Sequence, residues 1–254
     1  MELAAVQPEV GAAEELRRYY KALLRRLGPQ RWWPARTRLG VVLGAILTQN
    51  TAWTNVTRAL SRLRGAGLLS LSRLQRASLR DLEECVRPAG FYRQKASTIR
   101  NFLDWLTRTC DGSLATLFSR PAEEARRELL KIRGLGPETV DAILLYAGRR
   151  PFFVADAYTR RILARHALVT AKAGYEAVQE FLHRHLPADQ ALFNEYHALL
   201  VEAGKRFCRR RAPDCKACPL KAFLPDGSSA GAGRNVSRSN RYGLPVCVSP
   251  AGAP

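Results

Sequence analysis

The sequence predicts an all-α protein. Apolar residues recur with the three-to-four-residue spacing of amphipathic helices through most of the chain. Gly and Pro residues separate these stretches, and we find no stretch with the two-residue alternation of a half-buried strand. With 254 residues and 46% hydrophobic residues, the chain can bury a core as one domain or as two small ones.

Local sequence features place several of the predicted helices. The first is amphipathic and ends at the Gly28-Pro29 pair, which does not continue a helix. The second is almost entirely apolar, and Gly148 ends the apolar helix near the middle of the chain. The predicted helices cover residues 14–27, 38–47, 52–64, 71–86, 93–109, 121–131, 140–146, 157–165, 174–185 and 191–207.

The composition changes near the end of this sequence. Residues 225–254 are rich in Gly, Ser, Ala and Pro. Such a segment cannot bury enough apolar surface to order itself. We therefore expect a disordered tail over 225–254.

The chain is strongly basic, with 41 Lys and Arg residues against 22 Asp and Glu residues and a formal net charge of +19. Lys and Arg neutralise phosphates and release counterions, so an excess of this size favours a polyanion such as nucleic acid as the partner. A solvated basic surface without such a partner is the alternative.

Several sequence classes are disfavoured. The apolar run 39–47 is too short to span a membrane. Residues 1–20 lack the basic start and apolar core of a secretory signal. The six cysteines are unevenly placed, which disfavours a disulfide scaffold. We therefore expect a cytoplasmic, nucleoid-associated protein without a membrane partner.

The most informative segment is 129–157, in which a tight turn lies between two apolar-periodic stretches. The turn contains two glycines, and Pro137 suits the first turn of the second helix, as in a helix-hairpin-helix. Glycines let the backbone approach a ligand closely, and amides at a helix start favour an anion, which we interpret as a DNA phosphate. The predicted DNA contacts here are Gly134, Leu135, Gly136 and Thr139.

This segment resembles the signature of the helix-hairpin-helix DNA glycosylases, the endonuclease III superfamily. The resemblance continues upstream in residues 47–51 (LTQNT) and downstream in a cysteine series, over roughly residues 30–220. It implies two helical domains that flank a DNA-binding cleft: 39–151, ending in the hairpin, and 1–38 with 152–224. It also implies a base-excision-repair enzyme that binds double-stranded DNA, and we expect a monomer.

Asp156 stands where the superfamily carries its catalytic aspartate. Hydrolysis of an N-glycosidic bond builds oxocarbenium character on the sugar, and a carboxylate beside C1′ can stabilise that charge and orient or deprotonate water. The apolar run 152–155 partly desolvates the carboxylate, while the helix start that follows favours its anionic form. The local sequence alone favours an ordinary N-cap aspartate; the resemblance favours catalysis.

Superfamily members that also cut the strand carry a lysine on the second hairpin helix, which attacks C1′ and forms a Schiff base. The corresponding residue here is Glu138, and residues 137–141 contain no lysine. We therefore expect a glycosylase without AP-lyase activity, with water as the nucleophile.

Three tryptophans are candidates for a base pocket: Trp32, Trp33 and Trp53. Trp32 and Trp33 are adjacent in the sequence. Because adjacent residues of a chain point in different directions, we do not expect both in the core, the usual place of tryptophan. A flipped base needs an aromatic platform, and a cationic alkylated purine gains cation–π attraction from an indole. The segments WWPA, AILTQNTAWTNV, VRPAGFYRQKA and FNEYHALLVEAGKRFC resemble the subgroup that includes 3-methyladenine glycosylases. That resemblance implies an alkylated base as the substrate.

Gln49 corresponds to the glutamine that family members insert into the gap left by the flipped base, where an amide replaces lost base-pair hydrogen bonds. The alternative is a polar residue that caps the next helix. Residues 91–95 combine aromatic side chains for stacking with cations for phosphate. We therefore predict Arg93 and Lys95 as DNA contacts.

The series Cys208-x6-Cys215-x2-Cys218 matches the first three ligands of the endonuclease III iron–sulfur motif, but Leu224 stands at the fourth position. A [4Fe–4S] cluster uses four thiolates, and Cys247 lies in the expected tail. Three interpretations remain: a degenerate site, a labile three-cysteine cluster, or a zinc site with another ligand. We favour loss or lability over a stable cluster.

Two other functions compete with an alkylated-base glycosylase. One is an endonuclease III-type oxidised-pyrimidine glycosylase and AP lyase with an iron–sulfur cluster, which Glu138 disfavours. The other is a non-catalytic helix-hairpin-helix DNA-binding protein, which Asp156 disfavours.

Overall fold

The computed structural model describes residues 10–30 and 37–225, and the regular structure of these residues is helical throughout, which confirms the all-α prediction. A π-helix, Ile143–Ala147, directly follows α9, and short 3-10 helices cover Arg87–Ala89 and Lys221–Phe223. The described residues form the α-helices α1 Val10–Leu27, α2 Arg38–Leu47, α3 Trp53–Gly65, α4 Leu71–Arg76, α5 Leu79–Val86, α6 Tyr92–Cys110, α7 Leu114–Ser119, α8 Ala122–Leu130, α9 Pro137–Ala142, α10 Ala157–Arg165, α11 Tyr175–His185 and α12 Gln190–Arg206.

Side-chain caps explain where the structure departs from the predicted helices. The prediction of one helix over 71–86 is wrong, because the backbone is extended at Ala77 and a new helix begins after it. Ser78 and Asp81 form a reciprocal capping box that starts α5. Helix α7 was not predicted; the hydroxyl of Ser113 caps its first turn.

The helices form two compact units. Among the described residues, the first unit joins 10–30, 155–187 and 195–225, and the second joins 37–154 and 188–194. The domain boundaries given by the resemblance stay a prediction. Residues 226–254, nearly all of the expected tail, lie outside the described residues.

Buried tyrosines with satisfied hydroxyl groups lie in the core of the first unit. Tyr196 of α12 donates to the carbonyl oxygen of Leu16 in α1 at 2.8 Å. The hydroxyl oxygen of Tyr19 lies 2.9 Å from Nδ1 of His166. Because a buried hydroxyl without a partner would destabilise the fold, these hydrogen bonds fix the pairing of the three chain segments in this unit.

Helix α2 is the most buried element of the second unit. All residues from Leu39 to Leu47 are buried, and the helix contacts α3, α6, α9 and the π-helix. Although α2 is apolar, it has only 10 residues. Within residues 10–30 and 37–225 we find no helix with the length and apolar character that a membrane crossing requires.

Candidate active site and nucleic-acid interface

The helix-hairpin-helix lies in the second unit and consists of α8, a turn at residues 131–136, and α9, which begins at Pro137 as predicted. Gly134 has a φ of +98°, and a Cβ at this position would overlap Oγ1 of Thr98 in α6. Leu135 is buried. Both residues therefore pack the turn against its own unit, so a DNA contact at either position has to come from the backbone.

The other two predicted hairpin contacts differ from each other. Gly136 faces open space, because a Cβ built there would meet no atom within 4 Å, so its backbone can be approached closely. Thr139 is buried, and its Oγ1 accepts a 2.9 Å hydrogen bond from Nε2 of Gln49. The structure thus brings together two predicted site residues that are distant in sequence.

A buried ion pair joins the two hairpin helices. Asp141 of α9 is fully buried and accepts two hydrogen bonds from the guanidinium of Arg126 in α8, at 2.7 and 3.1 Å. The guanidinium carbon also lies 5.7 Å from the centre of the Phe152 ring. This bidentate geometry fixes α8 and α9 relative to each other.

Asp156 caps α10 in the first unit. Its backbone is extended, and Oδ1 accepts a 2.8 Å hydrogen bond from the amide of Thr159. Oδ2 lies 3.6 Å from Nε2 of His197, and only 14% of the Asp156 side chain is exposed. The N-cap interpretation is therefore correct as local structure, and the catalytic role stays a prediction.

The environment of Asp156 favours the ionised carboxylate. Burial alone would raise the pKa of this carboxyl, because a low-dielectric site disfavours the charge. Hydrogen bonding and charge from His197, together with the Thr159 amide, outweigh burial and leave the pKa below its ordinary value. A nearly buried anion beside an imidazole can stabilise developing positive charge or accept a proton from water.

Sequence reasoning missed His197. This residue lies on α12 with 7% of its side chain exposed, between buried neighbours such as Tyr196 and Ala198. A polar residue in an otherwise apolar helical stretch, within the segment 193–208 that resembles the glycosylase subgroup, is a signal that could have found it. Its proximity to Asp156, however, depends on how two helices pack, which the sequence alone does not show.

The tryptophan predictions are only partly covered by the structure. Trp53 is the first residue of α3 and is half-buried. Trp32 and Trp33 lie outside the described residues. All three stay predicted pocket residues.

The start of α6 presents an aromatic side chain at its N-cap and a cation in its first turn. Phe91 is 64% exposed with a φ of +45°, and Arg93 is also exposed. Lys95 requires a correction, because it is buried and Nζ donates a 2.7 Å hydrogen bond to the carbonyl oxygen of Ala89. Burial lowers the pKa of Lys95. Since this ammonium group is turned inward, we do not retain Lys95 as a phosphate contact.

The three cysteines of the series line one cavity of the first unit, together with Leu224. Arg161 of α10 donates a 2.7 Å hydrogen bond to the carbonyl oxygen of Cys208, and Arg165 lies 3.2 Å from its Sγ. Burial raises the pKa of the Cys218 thiol to about 11. The loop is thus attached to α10 by arginine side chains.

The cavity residues supply three of the four thiolates that a [4Fe–4S] cluster uses. Leu224 places an apolar side chain where the fourth is expected. His166 also lines the cavity, but its Nδ1 faces the hydroxyl of Tyr19 and, at 3.3 Å, the carbonyl oxygen of Phe223. In the part of the chain that the structure describes, no group of three or more His, Cys, Asp or Glu side chains is arranged to hold a metal ion. The described residues thus supply three thiolates to this cavity, one fewer than the cluster uses, and Cys247 lies outside the described residues. Loss or lability of the cluster stays a prediction.

Comparison with known proteins identifies the family. Residues 43–188 match the HhH-GPD superfamily of base excision DNA repair proteins, a range that includes the hairpin and Asp156. The chain belongs to this superfamily. A Methanocaldococcus jannaschii protein named as a DNA repair glycosylase is 43% identical over 212 residues, which cover 83% of this chain and 96% of that protein. Endonuclease III of Sulfolobus acidocaldarius is 25% identical, over 74% of this chain and 82% of its own length.

Solved structures agree with this assignment. A trapped covalent endonuclease III–DNA intermediate aligns with a TM-score of 0.73 and 20% identity, covering 85% of this chain and 96% of that one, a likeness that shows the fold. The Helicobacter pylori 3-methyladenine DNA glycosylase bound to 1,N6-ethenoadenine aligns with a TM-score of 0.66 and 26% identity, covering 79% and 98%. The resemblance found in residues 129–157 is confirmed: the chain is a DNA glycosylase of base-excision repair.

Proposed function

We propose that this glycosylase removes an alkylated base from duplex DNA by base flipping, with water as the nucleophile and without a lyase step. The observation that carries the proposal is the Asp156 carboxylate, which is nearly buried but kept ionised by His197 and the Thr159 amide. Such a group is suited to stabilise a cationic sugar in a site from which water is largely excluded.

The chemistry requires few protein groups. The bond that breaks joins C1′ of the sugar to the base nitrogen. A base methylated on a ring nitrogen is cationic, so it leaves as a neutral molecule with both bonding electrons. Asp156 stabilises the positive charge that develops on the sugar. Water then adds to C1′, and its proton passes to the carboxylate and on to solvent.

Two observations support an alkylated base as the substrate. The H. pylori protein, whose name makes it a 3-methyladenine glycosylase, is 26% identical over 79% of this chain. Trp53, at the start of α3, supplies an electron-rich ring of the kind that attracts a cationic purine. Trp32 and Trp33, which lie outside the described residues, stay predicted pocket residues.

DNA binding in this proposal uses backbone and side chains of the second unit. The open backbone at Gly136 receives a phosphate, and Arg93 contacts a second one. The exposed ring of Phe91 stacks on bases. The Gln49 side chain breaks its hydrogen bond to Thr139 and fills the place of the flipped base.

The proposal excludes strand cleavage by an amine because Glu138 stands at the position of the lyase lysine, and a carboxylate cannot form an imine. The competing function is an oxidised-pyrimidine glycosylase with lyase activity. The likeness to endonuclease III of S. acidocaldarius favours it.

Base release from defined DNA separates these functions. The purified protein is incubated with methylated DNA and with duplexes that carry a single 1,N6-ethenoadenine, a single thymine glycol or no lesion, and released bases are measured by chromatography. We expect release of methylated purines. Release of thymine glycol alone would overturn the alkylated-base assignment in favour of an oxidised-pyrimidine glycosylase, and binding without release from any substrate would show a non-catalytic protein.

A further inference from the structure

Helices α10 and α12 approach each other closely at Gly204. A Cβ at this position would overlap Cδ1 of Tyr158 and would lie 2.9 Å from the Cβ of that residue. Arg161, one turn further along α10, places Nη2 3.4 Å from the carbonyl oxygen of Gly204. The start of α10 therefore packs directly on the backbone of α12.

His197 lies seven residues before Gly204 and hence, after two helical turns, on the same face of α12. This spacing places the imidazole beside the residue that caps α10. Nε2 of His197 lies 3.6 Å from Oδ2 of Asp156, while the amide of Thr159 occupies Oδ1. Oδ1 thus has its neighbour on α10, and Oδ2 has its neighbour on α12.

We propose that His197 is a positioning residue for the Asp156 carboxylate, acting through Oδ2 to hold its orientation and its negative charge. The inference rests on the proposed function, in which Asp156 is the catalytic group. With the proton on Nε2, a movement of about 0.5 Å brings the pair to hydrogen-bonding distance. The imidazole itself does not contact DNA in this scheme.

The pair also predicts a pH dependence. The groups that lower the pKa of the Asp156 carboxyl are His197, from α12, and the amide and side chain of Thr159, from α10. Burial raises the pKa of Asp156 and His197 lowers it. Removing the imidazole therefore leaves the effect of burial more dominant, and the pKa of Asp156 rises. Activity requires the ionised carboxylate, so the acid limb of the rate profile moves to higher pH.

The test compares His197→Leu, which removes the polar group, with His197→Gln, which keeps a donor. Single-turnover release of methylated purines from methylated DNA is measured from pH 4.5 to 8, alongside DNA affinity. We expect His197→Leu to lose about tenfold or more in rate at neutral pH with unchanged affinity. We also expect its acid limb to shift upward and His197→Gln to recover part of the rate.

His185→Leu is the matched control, because Nδ1 of His185 lies 2.8 Å from a carbonyl oxygen of its own helix, that of Phe181. This variant should keep the wild-type rate and profile. Carbon-13 NMR titration of the Asp156 carboxyl in wild-type protein and His197→Leu gives a readout independent of turnover, and we expect a higher pKa in the variant.

The possible failures are distinguishable. A wild-type rate and profile in His197→Leu would overturn the inference and leave the proposed function intact. Equal rate losses in both His197 variants with an unmoved acid limb would assign His197 to packing alone and would also overturn it. No base release by the wild-type protein from any substrate would refute the proposed function, and the inference with it.

Discussion

Gly204→Ala should lower the free energy of unfolding by about 1 kcal/mol. A Cβ at this position would overlap Cδ1 of Tyr158 and lie 2.9 Å from its Cβ and Cγ. The last two atoms are close to the backbone, so rotation of the ring cannot relieve the overlap and the helices have to separate. Overpacking of this kind costs about 1–3 kcal/mol, whereas alanine in place of glycine inside a helix gains about 1 kcal/mol.

Thermal unfolding measures this difference, and a loss of about 1 kcal/mol corresponds to a fall in Tm of about 2–4 °C for a chain of this size. Gly65→Ala is the matched control, since Gly65 is also helical but a Cβ there meets no atom within 4 Å. This control should keep or raise the Tm. A Gly204→Ala protein as stable as the control would refute the close packing of α10 on α12.

Four further outcomes test the site. Asp156→Asn should reduce base release about a hundredfold or more and keep DNA affinity, because it removes charge that stabilises the transition state; single-turnover rates check this, and full activity would contradict the assignment. Borohydride should trap no covalent protein–DNA adduct, because Glu138 cannot form an imine; a strong band that disappears on mutation of a lysine would show that the nucleophile lies elsewhere. Gly136→Val should weaken binding to lesion-bearing and undamaged duplexes alike, as measured by anisotropy, since its side chain blocks backbone approach to phosphate. Cys215→Ser should cost little stability, and the wild-type protein should contain well under four irons per chain; about four irons with visible absorption would contradict loss of the cluster.

Helices with clear start and stop signals could be predicted from the sequence. Residues 38–47 and 157–165 were predicted with the same ends that the structure shows. In the structure a capping side chain, from Thr37 or Asp156, fixes the start of each helix. The stretch 71–86 was predicted as one helix because its apolar spacing continues across Ala77. The break depends on the side-chain oxygens of Ser78 and Asp81, which a periodic pattern of apolar residues does not include.

The candidate site could be predicted where local sequence determines it. Asp156 and the turn at Gly136 follow from the order of residues along one segment. The direction of a long side chain does not, and Lys95 turns inward to the Ala89 carbonyl although its neighbours suggest an exposed cation. His197 depends on the packing of α10 on α12, which becomes visible only once the two helices are in place.

The ion pair between Arg126 and Asp141 has a consequence for the search for damage along a chromosome. A hairpin whose two helices are already joined by buried charges is ordered before each encounter, so less conformational entropy is lost there on contact. Contact with undamaged duplex then depends mainly on displaced counterions and is sensitive to salt. A preformed hairpin of this kind can bind and release undamaged duplex many times between lesions. The rates of these steps then depend on ionic strength instead of on local folding.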